Sequence, residues 1–154
     1  MRVLFAWLGN ICRSPTAEGV LRHKLYEAGL AARVDVASAG TGDWHVGQPP
    51  DKRTQRAALS RGYDLSAQRA QQVSPGDFNR YDLILAMDQS NLRNLKALQP
   101  RHCKAELDLF LHRYDGVKED VPDPYYEGEQ GFEEVLDLVE AACDLLVIEI
   151  KGRL

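Results

Sequence analysis

Arg2-Val3-Leu4-Phe5-Ala6-Trp7-Leu8-Gly9-Asn10-Ile11-Cys12-Arg13-Ser14-Pro15 is the stretch on which the fold turns. After Arg2 it opens with an apolar run that has the length of a short buried strand. Pro15 stands where a helix can begin, with Ser14 before it as a cap. The stretch therefore reads as strand, tight loop, helix. Such a loop turns successive backbone N–H groups into a hollow at a helix N-terminus, where an anion is favoured. Arg13 ends the loop with a fork of donors matched to a phosphate.

Working outward, residues 15–28 carry Ala17, Val20, Leu21, Leu25 and Ala28 at helical spacing, and Gly29 is a stop signal. Val34 to Ser38 alternates weakly and reads as a second strand. Residues 39–50 hold Gly40, Gly42, Gly47, Pro49 and Pro50 and read as a loop. Residues 51–61 read as a helix closed by Gly62, and residues 64–77 as irregular, with Ser74-Pro75 opening a small element. Residues 81–87, around Leu83-Ile84-Leu85-Ala86, form a buried strand. Asp88 or Ser90 caps the helix that follows, which carries Leu92, Leu95 and Leu98 and ends at Pro100. Residues 106–111 are the fourth strand candidate. Residues 116–131 read as a long acidic loop, and Phe132, Val135, Leu136, Val139, Cys143, Leu146, Val147 and Ile150 keep a helical period to the end.

Strands alternating with helices imply an α/β fold with a mainly parallel sheet. The first loop then lies at the carboxyl end of a strand, where open α/β sheets bind ligands. A chain of 154 residues with 44% hydrophobic and 27% charged residues suits one soluble globular domain, residues 1–154. Its net charge of −4 argues against general affinity for nucleic acid or an anionic membrane. No apolar run approaches the ~20 residues needed to span a bilayer, and the start has too short an apolar run for a signal peptide. Cys12, Cys103 and Cys143 are an odd set without metal-ligand spacing, which fits reduced thiols in a cytoplasm. His23, His45, His102 and His112 form no zinc pattern. No metal or cofactor is expected, and the oligomeric state is left open.

The opening stretch resembles the active-site loop of the low-molecular-weight protein-tyrosine phosphatases, in which a strand runs into C-x5-R-S. Leu8-Gly9-Asn10-Ile11-Cys12-Arg13-Ser14-Pro15 matches that pattern residue for residue, and Ala17-Glu18 continue it. Three later segments are similar to the family in order: Ser38-Ala39-Gly40-Thr41; Asp82 to Leu92; and Asp123-Pro124-Tyr125-Tyr126. Asp43-Trp44-His45-Val46-Gly47 resembles its aromatic rim loop. The resemblance implies a three-layer fold with a central four-stranded parallel sheet flanked by helices. At the place of the nucleophilic Cys, however, this chain has Trp7.

By the resemblance, the loop Leu8, Gly9, Asn10, Ile11, Cys12, Arg13 and Ser14 would bind phosphate, with Arg13 as clamp and Asp123 as general acid. Trp44, Tyr125 and Tyr126 would form the aromatic rim. Asn10, Ser14 and Ser38 would support the loop, and a family His of that network corresponds to Gln68. An indole cannot replace a thiolate, because its nitrogen only donates. Cys12 is no substitute, since it adjoins Arg13 and leaves the loop in another direction. Trp7 could fill the hollow, or wall it with its N–H available to a ligand. For Arg13 the alternative to a phosphate is a neighbouring carboxylate. The expectation is a cytoplasmic, catalytically inactive family member that binds a phosphate-like anion or a phosphotyrosine-bearing protein. The alternative is an aryl phosphate hydrolase with residual activity, in which Asp123 helps water attack directly.

Overall fold

A computed structural model describes residues 1–9, 11–114, 120–122 and 129–154. The apolar run after Arg2 forms β1 (Arg2–Trp7) at the middle of the sheet. β2 (Asp35–Gly40) lies on one side of it; β3 (Leu83–Ala86) and β4 (Glu106–Leu109) lie on the other. The order is β2-β1-β3-β4 and every pairing is parallel. Each β-strand must therefore return through a crossover, and the helices of those crossovers cover both faces.

Strand alternation sorts the core into two layers. Val3, Phe5 and Trp7 of β1 face α1 (Arg13–Glu27), α2 (Lys52–Leu59), α5 (Phe110–Tyr114) and α6 (Glu129–Arg153). Leu4 and Ala6 face α3 (Asp77–Arg80) and α4 (Gln89–Leu98). This is the expected three-layer α/β arrangement, with four strands. Gly29 at φ 75° and Gly62 at φ 90° follow α1 and α2, where a left-handed residue releases the chain from the helix.

Several boundaries differ from the expectation. α1 starts at Arg13 with Cys12 as its N-cap and no side-chain cap bond, so Ser14 is inside the helix rather than its cap. Pro15 is tolerated there because N–H groups of the first turn have no intrahelical partner. β2 runs on to Gly40, two residues into the stretch read as loop. β4 ends at Leu109, and Phe110 and Leu111 belong to α5 instead. The Phe110 ring packs edge-on against Phe5, centroids 5.2 Å apart, and against Tyr114 at 5.8 Å. That packing outweighs the β pattern of the local residues. α6 takes in residues 129–131, although Gly131 had marked a loop. A glycine costs a helix about 1 kcal/mol, which the apolar face from Phe132 to Ile150 outweighs.

Candidate functional site

β1 delivers the chain to the carboxyl edge of the sheet at Trp7, which pairs in register with Gly40 of β2. Backbone carbonyls of the loop that follows are tied to its surroundings. Trp7 O accepts from Thr41 N–H at 3.0 Å, Leu8 O from Gly42 N–H at 2.9 Å, and Ile11 O from Asp51 N–H at 2.8 Å. Cys12 O accepts from the Thr16 hydroxyl at 2.8 Å and the Thr16 N–H at 3.2 Å. The loop is thus fixed by the start of the rim loop, by the N-cap of α2 and by its own helix. The positive end of the α1 dipole lies at its close.

Trp7 is 7% exposed. Its six-membered ring edge reaches to 3.6 Å from the point where a Cβ on Gly9 would lie. On its face lies Arg13, whose Cζ is 4.5 Å from the ring centroid. The indole therefore sits between the two ends of the loop, in cation–π contact with the loop's own arginine.

Arg13 is buried and already engaged. Nη2 pairs with Asp88 Oδ2 at 2.9 Å and Nη1 donates to the Val121 carbonyl at 2.7 Å. The neighbouring-carboxylate alternative for Arg13 is thus present in the structure. Asp88 is also the N-cap of α4, accepting from Asn91 N–H at 2.8 Å. Asn91 is 2% exposed. With its amide turned to satisfy both ends, it donates to Asp88 Oδ1 and accepts from Leu8 N–H, each at 3.1 Å. One carboxylate and one amide thereby join the loop's first N–H, its arginine and the start of α4. The sequence reading gave Asp88 its cap but did not find Asn91, which looks like any polar residue in a first turn.

Ser38 donates to Glu18 Oε1 at 2.7 Å, and Arg22 pairs with Glu18 Oε2 at 2.8 Å. Burial pushes the Glu18 carboxyl above its usual range, against the opposing pull of Arg22 and the Ser38 hydroxyl. Gln68 donates to the Pro15 carbonyl at 3.1 Å, in the first turn of α1. Ser14 and Cys12 are fully buried. Cys12 is in no disulfide.

At the mouth, Leu8 and Trp44 are exposed. The Trp44 ring covers Gly42, 1.8 Å from where a Cβ would be, so no other residue fits at 42 without moving it. His45, not singled out from sequence, rests its ring against Gly9 and bonds Gln48 Oε1 through Nδ1 at 3.1 Å. Asn10, Asp123, Tyr125 and Tyr126, expected as loop support, general acid and rim, lie outside the described residues. Among the described residues no group of His, Cys, Asp or Glu is placed to hold a metal ion, and no helix is long and apolar enough to cross a membrane.

The family model for low molecular weight phosphotyrosine protein phosphatases matches residues 2–153. A low molecular weight protein-tyrosine-phosphatase of Streptomyces coelicolor is 44% identical over 156 residues, covering 99% of this chain and 94% of its own length. Two crystal structures are each 38% identical. A protein tyrosine phosphatase of Entamoeba histolytica, with Hepes in its active site, superposes with a TM-score of 0.93 and covers 100% of this chain and 99% of its own. YfkJ of Bacillus subtilis superposes with a TM-score of 0.91 and covers 99% and 96%. From β1 to the end of α6, then, fold and sequence agree: this chain belongs to the low molecular weight phosphotyrosine protein phosphatase family.

Proposed function

We propose that this chain is a catalytically silent member of its family, in which Trp7 takes the place of the nucleophilic cysteine. Phosphoryl transfer in the C-x5-R pattern needs a thiolate to attack phosphorus and carry the phosphoryl group until water releases it. An indole has no atom for either step. The observation that carries the reading is the position of that indole, buried between Gly9 and Arg13. A phosphate held by loop amides and Arg13 would need the same volume. The placement therefore speaks against a phosphate-holding role for the loop Leu8 to Ser14 in this conformation, and for Arg13 as a strut. What is left to the site is recognition by its surface, where Leu8 and Trp44 stand exposed beside the closed hollow. The cytoplasmic location expected from the reduced thiols belongs to the same proposal.

The test is turnover of an aryl phosphate by the natural chain, by Trp7→Cys and by Arg13→Ala. The natural chain is expected to be inactive, because loss of a nucleophile costs several orders of magnitude in rate. Trp7→Cys is expected to gain activity, since it restores the thiol and empties the hollow together. Millimolar vanadate is expected to leave the tryptophan fluorescence of the natural chain unchanged. Turnover by the natural chain that disappears in Arg13→Ala overturns the proposal. A folded but inactive Trp7→Cys overturns the claim that a working cup survives beneath the indole.

A further inference from the structure

Away from the loop, beside the start of β2, a groove of about 520 Å³ opens between the end of α1, the turn that leads to β2, and Tyr81. Its floor is apolar, made by Leu25, Val34, Val36 and Ala37. Two arginines line it, Arg22 of α1 and Arg2 of β1, and their side chains are 56% and 44% exposed. Two tyrosines flank it. Tyr26 is 75% exposed, and Tyr81 carries Arg2 over its ring at 5.1 Å. We propose that this groove is a binding site for a small aromatic anion, a flat ring bearing a phosphate-type group, separate from the phosphatase loop.

The volume falls within the range of small-molecule sites, which combine an apolar lining with a few placed polar groups. The guanidiniums supply the polar part. Arg22 spends one hydrogen of Nη1 on Glu18 and one of Nη2 on the Val36 carbonyl, at 2.8 and 2.6 Å. Those two bonds hold it against the β2 edge and use two of its five N–H groups. Among the described residues the polar contacts of the Arg2 guanidinium are long, 3.4 Å to the Arg80 carbonyl and 3.6 Å to Asp35. The Asp35 side chain is 79% exposed, so that pair is worth little, and a doubly charged anion displaces it. Tyr26 offers a ring face at the entrance for stacking.

Phenylphosphonate, which no phosphatase hydrolyses, serves as the probe. Titration of the full chain followed by amide NMR is expected to show saturable binding, with shifts at Val36, Ala37 and the residues around Tyr81. Inorganic phosphate alone and phenol alone are expected to bind more weakly than the joined molecule. Arg2→Gln and Tyr26→Ala alter exposed groups and leave the fold in place. Arg2→Gln is expected to weaken binding roughly tenfold, the loss typical of one charge-assisted hydrogen bond. Asp35→Asn removes the competing carboxylate and is expected to tighten it. Arg13→Gln is expected to change nothing. No saturation at millimolar probe, or binding untouched by Arg2→Gln and Asp35→Asn, overturns the proposal. So do shifts confined to residues 8–13 and abolished by Arg13→Gln. Loop binding of that last kind would also count against a filled hollow, whereas catalytic silence is decided separately by the aryl phosphate assay.

Discussion

Asp88→Ala removes the group on which the loop, its arginine and α4 all depend. In the folded chain the Asp88 side chain is 18% exposed and that of Arg13 is 6% exposed. Removing one partner of a buried pair costs about 3–5 kcal/mol, because the other charge stays buried. Loss of the α4 N-cap adds about 0.5–2 kcal/mol. The sum is an upper bound. Arg13 keeps the Val121 carbonyl at 2.7 Å and the Trp7 ring at 4.5 Å, and water can enter where the partly exposed carboxylate stood. We expect a loss of about 3 kcal/mol, read as a fall in the urea midpoint at unchanged slope. The control is the same substitution in an Arg13→Met background. There the carboxylate has no cation to meet, and Asp88→Ala should cost only the cap and the Asn91 amide bond, about 1–2 kcal/mol. An equal cost in both backgrounds would refute the coupling drawn from the geometry, whatever its size.

The Glu18 carboxyl titrates above its ordinary value, so between the unfolded and folded values the folded chain holds more protons. Its contribution is therefore present at low pH and is lost as pH rises from about 4.5 through the folded value. The stability of the natural chain minus that of Glu18→Gln should fall with pH across that window and then level off; urea titrations at a series of pH values showing a rise would contradict this. Gly42→Ala puts a methyl group where the Trp44 ring lies, and that ring is 65% exposed and able to swing away. The change should move stability by no more than about 0.5 kcal/mol. It should shift the Trp44 indole N–H resonance while that of Trp7 stays in place; an unshifted Trp44 signal would place the ring elsewhere.

The fold was legible because its signals are local and repeated. Apolar runs at Arg2 to Ala6 and Leu83 to Ala86 could be assigned as strands by length, and Gly29 marked the end of α1, while Gly62 set the end of α2 two residues beyond Leu59, where the helix stops. What failed were boundaries set from a distance. Phe110 and Leu111 fit a strand by residue type, yet their conformation follows from an aromatic contact with Phe5, a whole sheet away in sequence. Asn91 was invisible for the same reason. Its role rests on the Leu8 N–H, and nothing in the residues around Asn91 points there.

The orientation of Trp7 shows where pattern reading stops and parity takes over. β1 is apolar on both faces, so its residues carry no amphipathic signal to say which side an indole at its end would take. Strand geometry settles it: a period of two places Trp7 with Val3 and Phe5, on the face covered by α1 and α6. On that face Arg13, at the start of α1, meets the ring. The indole and the arginine thus hold one another, and the arginine in turn holds Asp88 and the Val121 carbonyl. Since only the first of these ties is lost in Trp7→Cys, Arg13 should stay in place when the hollow is emptied. That persistence is the physical ground for expecting a single substitution to restore a cup rather than collapse one.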